Sequence, residues 1–174
     1  ACAEIGEKGV KTLPVRCDIT QKGEVESLVQ KTVQEMGRID ILVNNAGVGG
    51  SEKPILKMSD EDWDHAVSID LKGAFLLARA VVPEMSKEGG GKIINVASIT
   101  AMIAMPNMSA YCASKAGLVQ LTKVMALEFI KYNIQVNALC PGYFLTPMNQ
   151  KFFAGKVGQE IVQKNIPMGR LGKV

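Results

Sequence analysis

A tyrosine and a lysine four residues apart are the side chains in this sequence best suited to proton chemistry. Tyr111 and Lys115 belong to the run Tyr-Cys-Ala-Ser-Lys, and on a helix this spacing places them on one face, about 5–6 Å apart between Cβ atoms. A nearby ammonium group favours the phenolate and lowers the pKa of a tyrosine. Such a tyrosine can exchange a proton with an alcohol or carbonyl oxygen. Alone, the spacing is common and is much more typical of an ordinary pair on a helix surface.

Other small or polar residues stand where apolar runs of the sequence end. Ser98 follows the run Lys-Ile-Ile-Asn-Val-Ala, thirteen residues before Tyr111, and its hydroxyl could hold the same substrate oxygen. Residues 44–47 (Asn-Asn-Ala-Gly) end an earlier run, where small side chains let a flat ligand approach the backbone. Residues 141–146 (Pro-Gly-Tyr-Phe-Leu-Thr) follow a later run. These positions predict one site at the ends of several strands.

The order of the elements predicts an α/β fold with a parallel sheet. Hydrophobic periodicity and breakers predict strands at residues 11–17, 39–43, 92–97 and 134–139, and helices at residues 25–36, 59–87 and 109–131. The run from Ser59 to Asp62 fits a capping box, and Pro83 predicts a kink. Strands separated by long helices indicate a parallel sheet with helices on both faces, whose ligands bind beyond the carboxyl ends of the strands. We expect a single domain over residues 1–174.

Composition argues against several other classes of protein. Of 174 residues, 47% are hydrophobic and 21% are charged, which is typical of a globular domain. The 20 basic residues are scattered among 17 acidic ones, which argues against nucleic acid as a partner. No apolar run reaches the roughly 18 residues of a membrane span, and the first residues do not resemble a signal peptide. Four widely spaced cysteines and one histidine argue against a metal site and predict free thiols in the cytoplasm.

In this order and spacing, the motifs resemble the short-chain dehydrogenase/reductase family of the classical type, from Asp18 to Gly172. The resemblance implies a doubly wound Rossmann-type fold and reversible hydride transfer between NAD or NADP and a small carbonyl compound or secondary alcohol. It implies that Tyr111 is the catalytic acid and base, that Ser98 polarises the substrate oxygen, and that Lys115 lowers the pKa of Tyr111 and binds the nicotinamide ribose. The most similar subclasses are gluconate 5-dehydrogenases and 3-oxoacyl-(acyl-carrier-protein) reductases.

The same resemblance implies a set of cofactor-binding residues. One group would border the adenine ring, a second would form the floor of the site, and a third would contact the nicotinamide end. In chain order the residues are Asp18 and Ile19, then Asn44, Asn45, Ala46 and Gly47, then Pro141, Gly142, Phe144 and Thr146. Tyr111 and Lys115 would contact the cofactor as well.

The sequence departs from the family pattern at a fourth catalytic position, where the family usually has an asparagine. The matching stretch reads Ile-Asp-Leu-Lys-Gly, so Asp70 stands in its place. An ionised aspartate only accepts hydrogen bonds, but it could still hold a water molecule and favour a charged Lys115. We therefore expect activity to survive this replacement.

Two family features are missing from the sequence. It contains neither the glycine-rich phosphate loop nor the last helix and strand, so we expect it to be the middle of a domain of roughly 250 residues. The residue that discriminates NAD from NADP would follow a strand that is also missing. The cofactor is therefore predicted only as NAD or NADP.

The resemblance also concerns substrate access, assembly and a non-catalytic alternative. Residues 147–167 would form a lid over the substrate, and the uncharged segment 99–108 either lines the substrate pocket or is ordinary loop packing.

The two long helices would pair between subunits in a homotetramer. Small residues on them (Ala74, Ala78, Ala113 and Ala116) suit that pairing, but they equally suit contact with the sheet. The alternative function, a cofactor-binding or regulatory protein with a degraded site, predicts loss of Ser98, Tyr111 or Lys115.

Overall fold

The computed structural model describes residues 2–146 and 149–173, and the chain divides into two compact units at the boundary between Leu139 and Cys140. The first unit contains α1 (Cys2–Gly6), α2 (Lys22–Met36), β1 (Ile41–Asn44), α3 (Asp60–Val67), α4 (Gly73–Lys87), β2 (Gly91–Val96), α5 (Ser109–Phe129) and β3 (Ile134–Leu139). The second unit contains α6 (Gln150–Ala154) and α7 (Lys156–Asn165). Short 3-10 turns occur at Ile55–Lys57, Ile99–Ala101 and Ile130–Tyr132.

The three strands form one parallel sheet in the order β1-β2-β3. Asn44 of β1 is opposite Asn95 of β2, and Val96 of β2 is opposite Leu139 of β3. The carboxyl ends of all three strands therefore lie at the same edge of the sheet. Helical connections between parallel strands confirm the predicted α/β class, and β3 has the predicted bounds.

The strand predicted at residues 11–17 is wrong. This segment is neither helix nor strand and forms no ladder with a described strand. Its Pro14 offers no backbone donor. The segment is anchored by side chains instead, since Cys17 and Ile19 pack against a small apolar cluster of α2 and α4 that includes Val25.

The long helix predicted from residue 59 is present but contains an irregular turn that the sequence did not indicate. The predicted capping box is confirmed, because the Ser59 hydroxyl accepts from the backbone N–H of Asp62 while the Asp62 carboxylate accepts from that of Ser59. Between α3 and α4 the backbone forms a π-helical turn, Ser68–Lys72. Such turns occur frequently at functional sites, and this one carries Asp70.

The main core lies between the sheet and α2, α4 and α5. Its buried members are Val29, Ala78, Val81, Val82, Met85, Ile93, Met125, Ile134 and Val136. Along β3, Ile134 and Val136 are buried whereas Gln135 and Asn137 are exposed, so alternate side chains of the strand face this core. Ala78 belongs to the same core, which favours contact within the chain over the subunit interface for this small residue.

The second unit is organised around two short helices and a single backbone bridge. The Phe153 ring meets the rings of Tyr143 and Phe152 edge to face, with centroids 5.6 and 5.1 Å away. Phe144 forms a parallel bridge with Gly172, where a Cβ would lie 2.6 Å from the Phe144 ring. Of the predicted lid, residues 147–148 lie outside the described residues.

Candidate active site

Four predicted catalytic residues converge at the carboxyl edge of the sheet in the first unit. Ser98 follows β2, Asp70 lies in the π-helical turn, and Tyr111 and Lys115 lie one turn apart near the start of α5. Ser98, Asp70 and Lys115 are only 8%, 2% and 5% exposed. The tyrosine–lysine spacing therefore does not describe a pair on a helix surface. It brings the two side chains into a buried polar cluster.

The Lys115 ammonium group has three neighbours that fix its position. Its Nζ donates to the carbonyl of Val96 at 3.1 Å and lies 3.4 Å from Oδ1 of Asp70. The same Nζ lies 5.6 Å from the centroid of the Tyr111 ring. A buried ammonium group is tolerated when it has both a counter-charge and a hydrogen-bond acceptor, and Lys115 has both.

The Asp70 carboxylate is only partly satisfied. Its Oδ1 accepts from the backbone N–H of Val48 at 3.0 Å and pairs with Lys115. Its Oδ2 is buried and has no hydrogen-bond partner in the described part of the chain. Burial raises the pKa of Asp70, whereas the charge of Lys115, the hydrogen bond from Val48 and the nearby His65 act in the opposite direction.

A glycine after β1 lets the backbone come close to these charged groups. A Cβ on Gly47 would lie 2.6 Å from Oδ1 of Asp70 and 3.3 Å from Nζ of Lys115. Any larger residue would push the carboxylate away from the lysine. The sequence analysis predicted small residues here so that a ligand could approach the backbone. The structure gives a second reason for a glycine, since a side chain at this position would collide with Asp70 and Lys115.

The structure gives Tyr111 a raised pKa, where the sequence predicted a lowered one. Burial of the phenol is the largest cause, and the negative charge of Asp70 acts in the same direction. The hydrogen bond with the Ser98 side chain lowers the pKa but does not outweigh burial. Lys115, whose Nζ lies 3.4 Å from Oδ1 of Asp70, is not among the groups that lower the pKa of Tyr111.

A buried chain of hydrogen bonds behind the site was missed by the sequence analysis. Nδ2 of Asn44 donates to Oδ1 of Asn95 at 2.8 Å, and Nδ2 of Asn95 donates to the hydroxyl of Thr122 at 2.8 Å. Thr122 in turn donates to the carbonyl of Leu118 at 2.6 Å. These bonds tie the carboxyl ends of β1 and β2 to α5, which carries Tyr111. The available signal was Asn95, a polar residue inside an apolar strand.

The predicted cofactor residues of the first unit only partly come together. A cavity of about 230 Å³ is lined by Ile19, Asn44, Asn45, Ala46 and Asp70 together with apolar side chains. Oδ1 of Asn44 is buried and has no hydrogen-bond partner among the described residues. Asp18 does not line this cavity, and its carboxylate accepts from the backbone N–H and hydroxyl of Thr20 at 2.9 and 2.8 Å.

The remaining predicted cofactor residues belong to the second unit. They are Pro141, Gly142, Phe144 and Thr146. Within that unit, Asn149 bridges two of them, because its Oδ1 accepts from the backbone N–H of Thr146 at 2.9 Å and its Nδ2 donates to the carbonyl of Phe144 at 2.8 Å.

Two other features of the described residues concern metals and membranes. Within residues 2–146 and 149–173, no group of three or more His, Cys, Asp or Glu side chains could hold a metal ion. Over the same ranges, none of the helices combines the length and apolarity needed to cross a bilayer.

Comparison with known proteins identifies the family. The model of the short chain dehydrogenase family matches residues 1–157. The chain is 44% identical over 162 residues to an NAD-dependent glycerol dehydrogenase of Listeria innocua, covering 93% of this chain and 63% of that protein. It is 40% identical over 163 residues to a 3-oxoacyl-(acyl-carrier-protein) reductase of Thermotoga maritima, covering 94% and 65% of the two chains. The chain thus spans slightly less than two thirds of the length of these relatives.

Solved structures agree with the sequence relatives. The fold superimposes with a TM-score of 0.92 on a gluconate 5-dehydrogenase from Burkholderia cenocepacia in complex with NADP and tartrate, at 32% identity, covering 99% of this chain and 67% of that one. Both subclasses named from the sequence therefore occur among the similar proteins. The family match over most of the chain, the identity to its relatives and the shared fold together show that this chain belongs to the short-chain dehydrogenase/reductase family.

Proposed function

We propose that the protein catalyses reversible hydride transfer between NAD or NADP and a small carbonyl compound or secondary alcohol, with Tyr111 as the acid and base. The observation that carries this proposal is the buried cluster of Ser98, Tyr111 and Lys115. The Ser98 side chain is close enough to lower the pKa of the phenol, and Nζ of Lys115 lies 5.6 Å from the ring centroid. Two hydroxyl groups that meet beside an ammonium group suit the binding and protonation of one substrate oxygen.

Residues of the first unit fit the nicotinamide end of such a cofactor. Gly47 lets the backbone that follows β1 lie directly against the Lys115 ammonium group, since a Cβ there would be 3.3 Å from Nζ. Lys115 offers a buried donor, and Asn44 offers a buried acceptor oxygen with no described partner. When bound, a nicotinamide cofactor supplies or accepts the hydride.

The chain's own residues would handle the proton. Ser98 would hold the substrate oxygen against the Tyr111 hydroxyl, which donates its proton as a carbonyl is reduced and accepts one as an alcohol is oxidised. Lys115 would hold the ribose. Burial of this cluster strengthens these interactions, because water screens them less.

We assign the remaining cofactor contacts and the lid to the second unit. Pro141, Gly142, Phe144 and Thr146 would contact the nicotinamide end, and residues 147–167 would close over the substrate. A closing lid excludes water and completes the site. Asp18 and Ile19 would border the adenine ring. Ile19 shares a cavity with Asn44, Asn45 and Ala46, which supports its assignment.

An uncharged substrate fits the segment that follows Ser98. Residues 99–108 contain no charged side chain, and Met102 and Ile103 expose 68% and 47% of their surface. A carboxylate substrate would need a cation to pair with, and this segment offers none. A neutral polyol, like the glycerol named for the Listeria relative, or an uncharged ketone suits it better.

The non-catalytic alternative finds no support. It predicts a degraded site, yet Ser98, Tyr111 and Lys115 are all present and lie close together.

We propose that the protein is located in the cytoplasm, since its four cysteines are free and free thiols persist in a reducing compartment.

The purified protein should interconvert the oxidised and reduced forms of the cofactor. NAD⁺ and NADP⁺ are offered separately with a panel of secondary alcohols and polyols, and the reduced cofactors with the matching ketones. We expect a substrate-dependent change in nicotinamide absorbance with at least one pair. A protein that binds either cofactor but reacts with no member of the panel in either direction would support the regulatory alternative.

We further propose that the protein is a homotetramer in which α4 and α5 pair with the same helices of other subunits. A groove of about 550 Å³ between these helices is lined by apolar side chains including Phe75, Val124 and Phe129. Phe75 and Val124 in this groove are 40% and 41% exposed. Apolar patches of this kind mark interaction sites.

Val124→Glu should break the tetramer into smaller species, because it places a charge in an interface that excludes water. Mass measured by light scattering after gel filtration tests this. Val157→Glu on α7 is the matched control, since Val157 is also an exposed apolar residue (65%) but lies on another helix. A wild-type protein that is monomeric, or a Val124→Glu variant that keeps the tetramer mass, would contradict the assembly.

A further inference from the structure

The aspartate in the π-helical turn places a negative charge inside the catalytic cluster. Oδ1 of Asp70 lies 3.4 Å from Nζ of Lys115 and accepts from the backbone of Val48 at 3.0 Å. Both side chains of the ion pair are almost fully buried, at 0% and 6% exposed. In such surroundings, screening by water is weak. The charge of Asp70 therefore acts on Lys115 and on the groups beside it with little screening.

The shape of the contact does not require a carboxylate. An asparagine has the same size, and its oxygen could keep the hydrogen bond from Val48. The second oxygen of Asp70 has no hydrogen-bond partner among the described residues. No hydrogen bond at that oxygen would therefore be lost if an amide replaced the carboxylate. What an amide would lose is the charge that balances Lys115.

The charge balance around Tyr111 depends on this pair. Asp70 faces Lys115 and Tyr111 from α5 and His65 from α3, and Cys112 adjoins the phenol. Across the alkaline range in which a phenol titrates, a carboxyl group is ionised. The carboxylate of Asp70 and the ammonium form of Lys115 together contribute no net charge. With an amide at position 70, Lys115 would face the phenol as an uncompensated cation and would favour the phenolate.

We propose that Asp70 is a positioning residue that neutralises Lys115, so that Tyr111 keeps its proton, and the site works, at higher pH than with an asparagine at this position. The inference rests on the proposed role of Tyr111, but its first test does not need turnover. The negative charge of Asp70 is already one of the causes that raise the pKa of Tyr111.

Titration of the Tyr111 phenol tests the inference directly. Phenolate absorbance is followed with pH in the cofactor-free protein, and the curve of a Tyr111→Phe variant is subtracted to isolate Tyr111 from Tyr132 and Tyr143. Asp70→Asn should raise the acid dissociation constant of the phenol about tenfold or more, as expected for an unpaired cation at this distance. The alkaline limb of kcat/KM should move to lower pH with it.

A matched charge change tests whether the effect is local. Asp64→Asn on α3 also converts a carboxylate to an amide, but Asp64 is exposed. The titration curve of the Tyr111 phenol in this variant should therefore match that of the wild type. An unchanged phenol curve in Asp70→Asn would overturn the inference. A wild-type protein without turnover would instead overturn the proposed function. The phenol titration would still test the role of Asp70, because it does not require turnover.

A double variant covers the case in which Asp70→Asn fails to fold. Lys115→Met combined with Asp70→Asn removes both charges and leaves no buried ion unpaired. If Asp70 neutralises Lys115 in the wild type, the phenol of the double variant should titrate within about threefold of the wild-type dissociation constant. A dissociation constant tenfold or more below the wild type would show that the lysine charge is not balanced, and would overturn the inference.

Discussion

Tyr111→Phe should lower kcat of the proposed reaction by about 10²–10⁴-fold, the usual contribution of a general acid or base. The variant loses only the hydroxyl that would exchange the proton. Its ring keeps the place against Lys115, whose Nζ lies 5.6 Å from the ring centroid. The fold and the affinity for the cofactor should therefore stay close to those of the wild type.

Turnover and cofactor affinity are measured separately, by nicotinamide absorbance and by titration calorimetry. Tyr132→Phe is the matched control, because it removes a phenol hydroxyl from the turn that follows the same helix, outside the catalytic cluster. It should leave kcat within a few-fold of the wild type. If Tyr111→Phe also kept its turnover, the proton would have to come from another group, and the proposed mechanism would fail.

The proximity of the proposed catalytic residues was predictable because it follows from short stretches of sequence and from the order of the strands. Tyr111 and Lys115 share a helix, so their common face follows from four residues of sequence. Ser98 and Gly47 follow strands of one parallel sheet, and such a sheet brings the carboxyl ends of its strands to one edge. Hydrophobic periodicity was enough to locate β1, β2 and β3, since each is a short apolar run between breakers.

The properties that sequence reasoning missed depend on contacts between distant residues. Asn44 and Asn95 are 51 positions apart, and Asn95 and Thr122 are 27 apart, so no local pattern reveals their hydrogen bonds. The raised pKa of Tyr111 depends on burial and on a charge 41 positions away at Asp70. The strand predicted at residues 11–17 fails for a similar reason: a strand requires a neighbour, and an apolar run does not supply one.

Replacing Lys115 with methionine should cost about 3–5 kcal/mol of folding free energy at neutral pH, the usual effect of leaving a buried charge without its partner. The aspartate left behind is almost fully buried, and one of its oxygens already has no described hydrogen-bond partner. The variant should also lose most of its turnover, because the proposed contact to the ribose disappears with the ammonium group.

The stability loss should depend on pH with a definite sign. Burial already raises the pKa of Asp70 in the folded protein, and removal of the lysine raises it further, whereas in the unfolded chain the pKa stays near its ordinary value of about 3.9. The folded state then binds the proton more tightly than the unfolded state. The stability of Lys115→Met is therefore best preserved below that ordinary value, and it falls as pH rises through the raised pKa of Asp70.

Urea unfolding of Lys115→Met and of the double variant with Asp70→Asn, at acidic and neutral pH, separates charge from packing. The double variant contains no buried carboxylate, so it should recover most of the lost stability at neutral pH and lose the steep pH dependence. Its turnover should stay low, since the amide does not replace the ammonium group. If the double variant were as unstable as the single one at every pH, the loss would come from packing of the lysine side chain. The ion pair between Lys115 and Asp70 would then not be the source of the folding free energy that Lys115→Met loses.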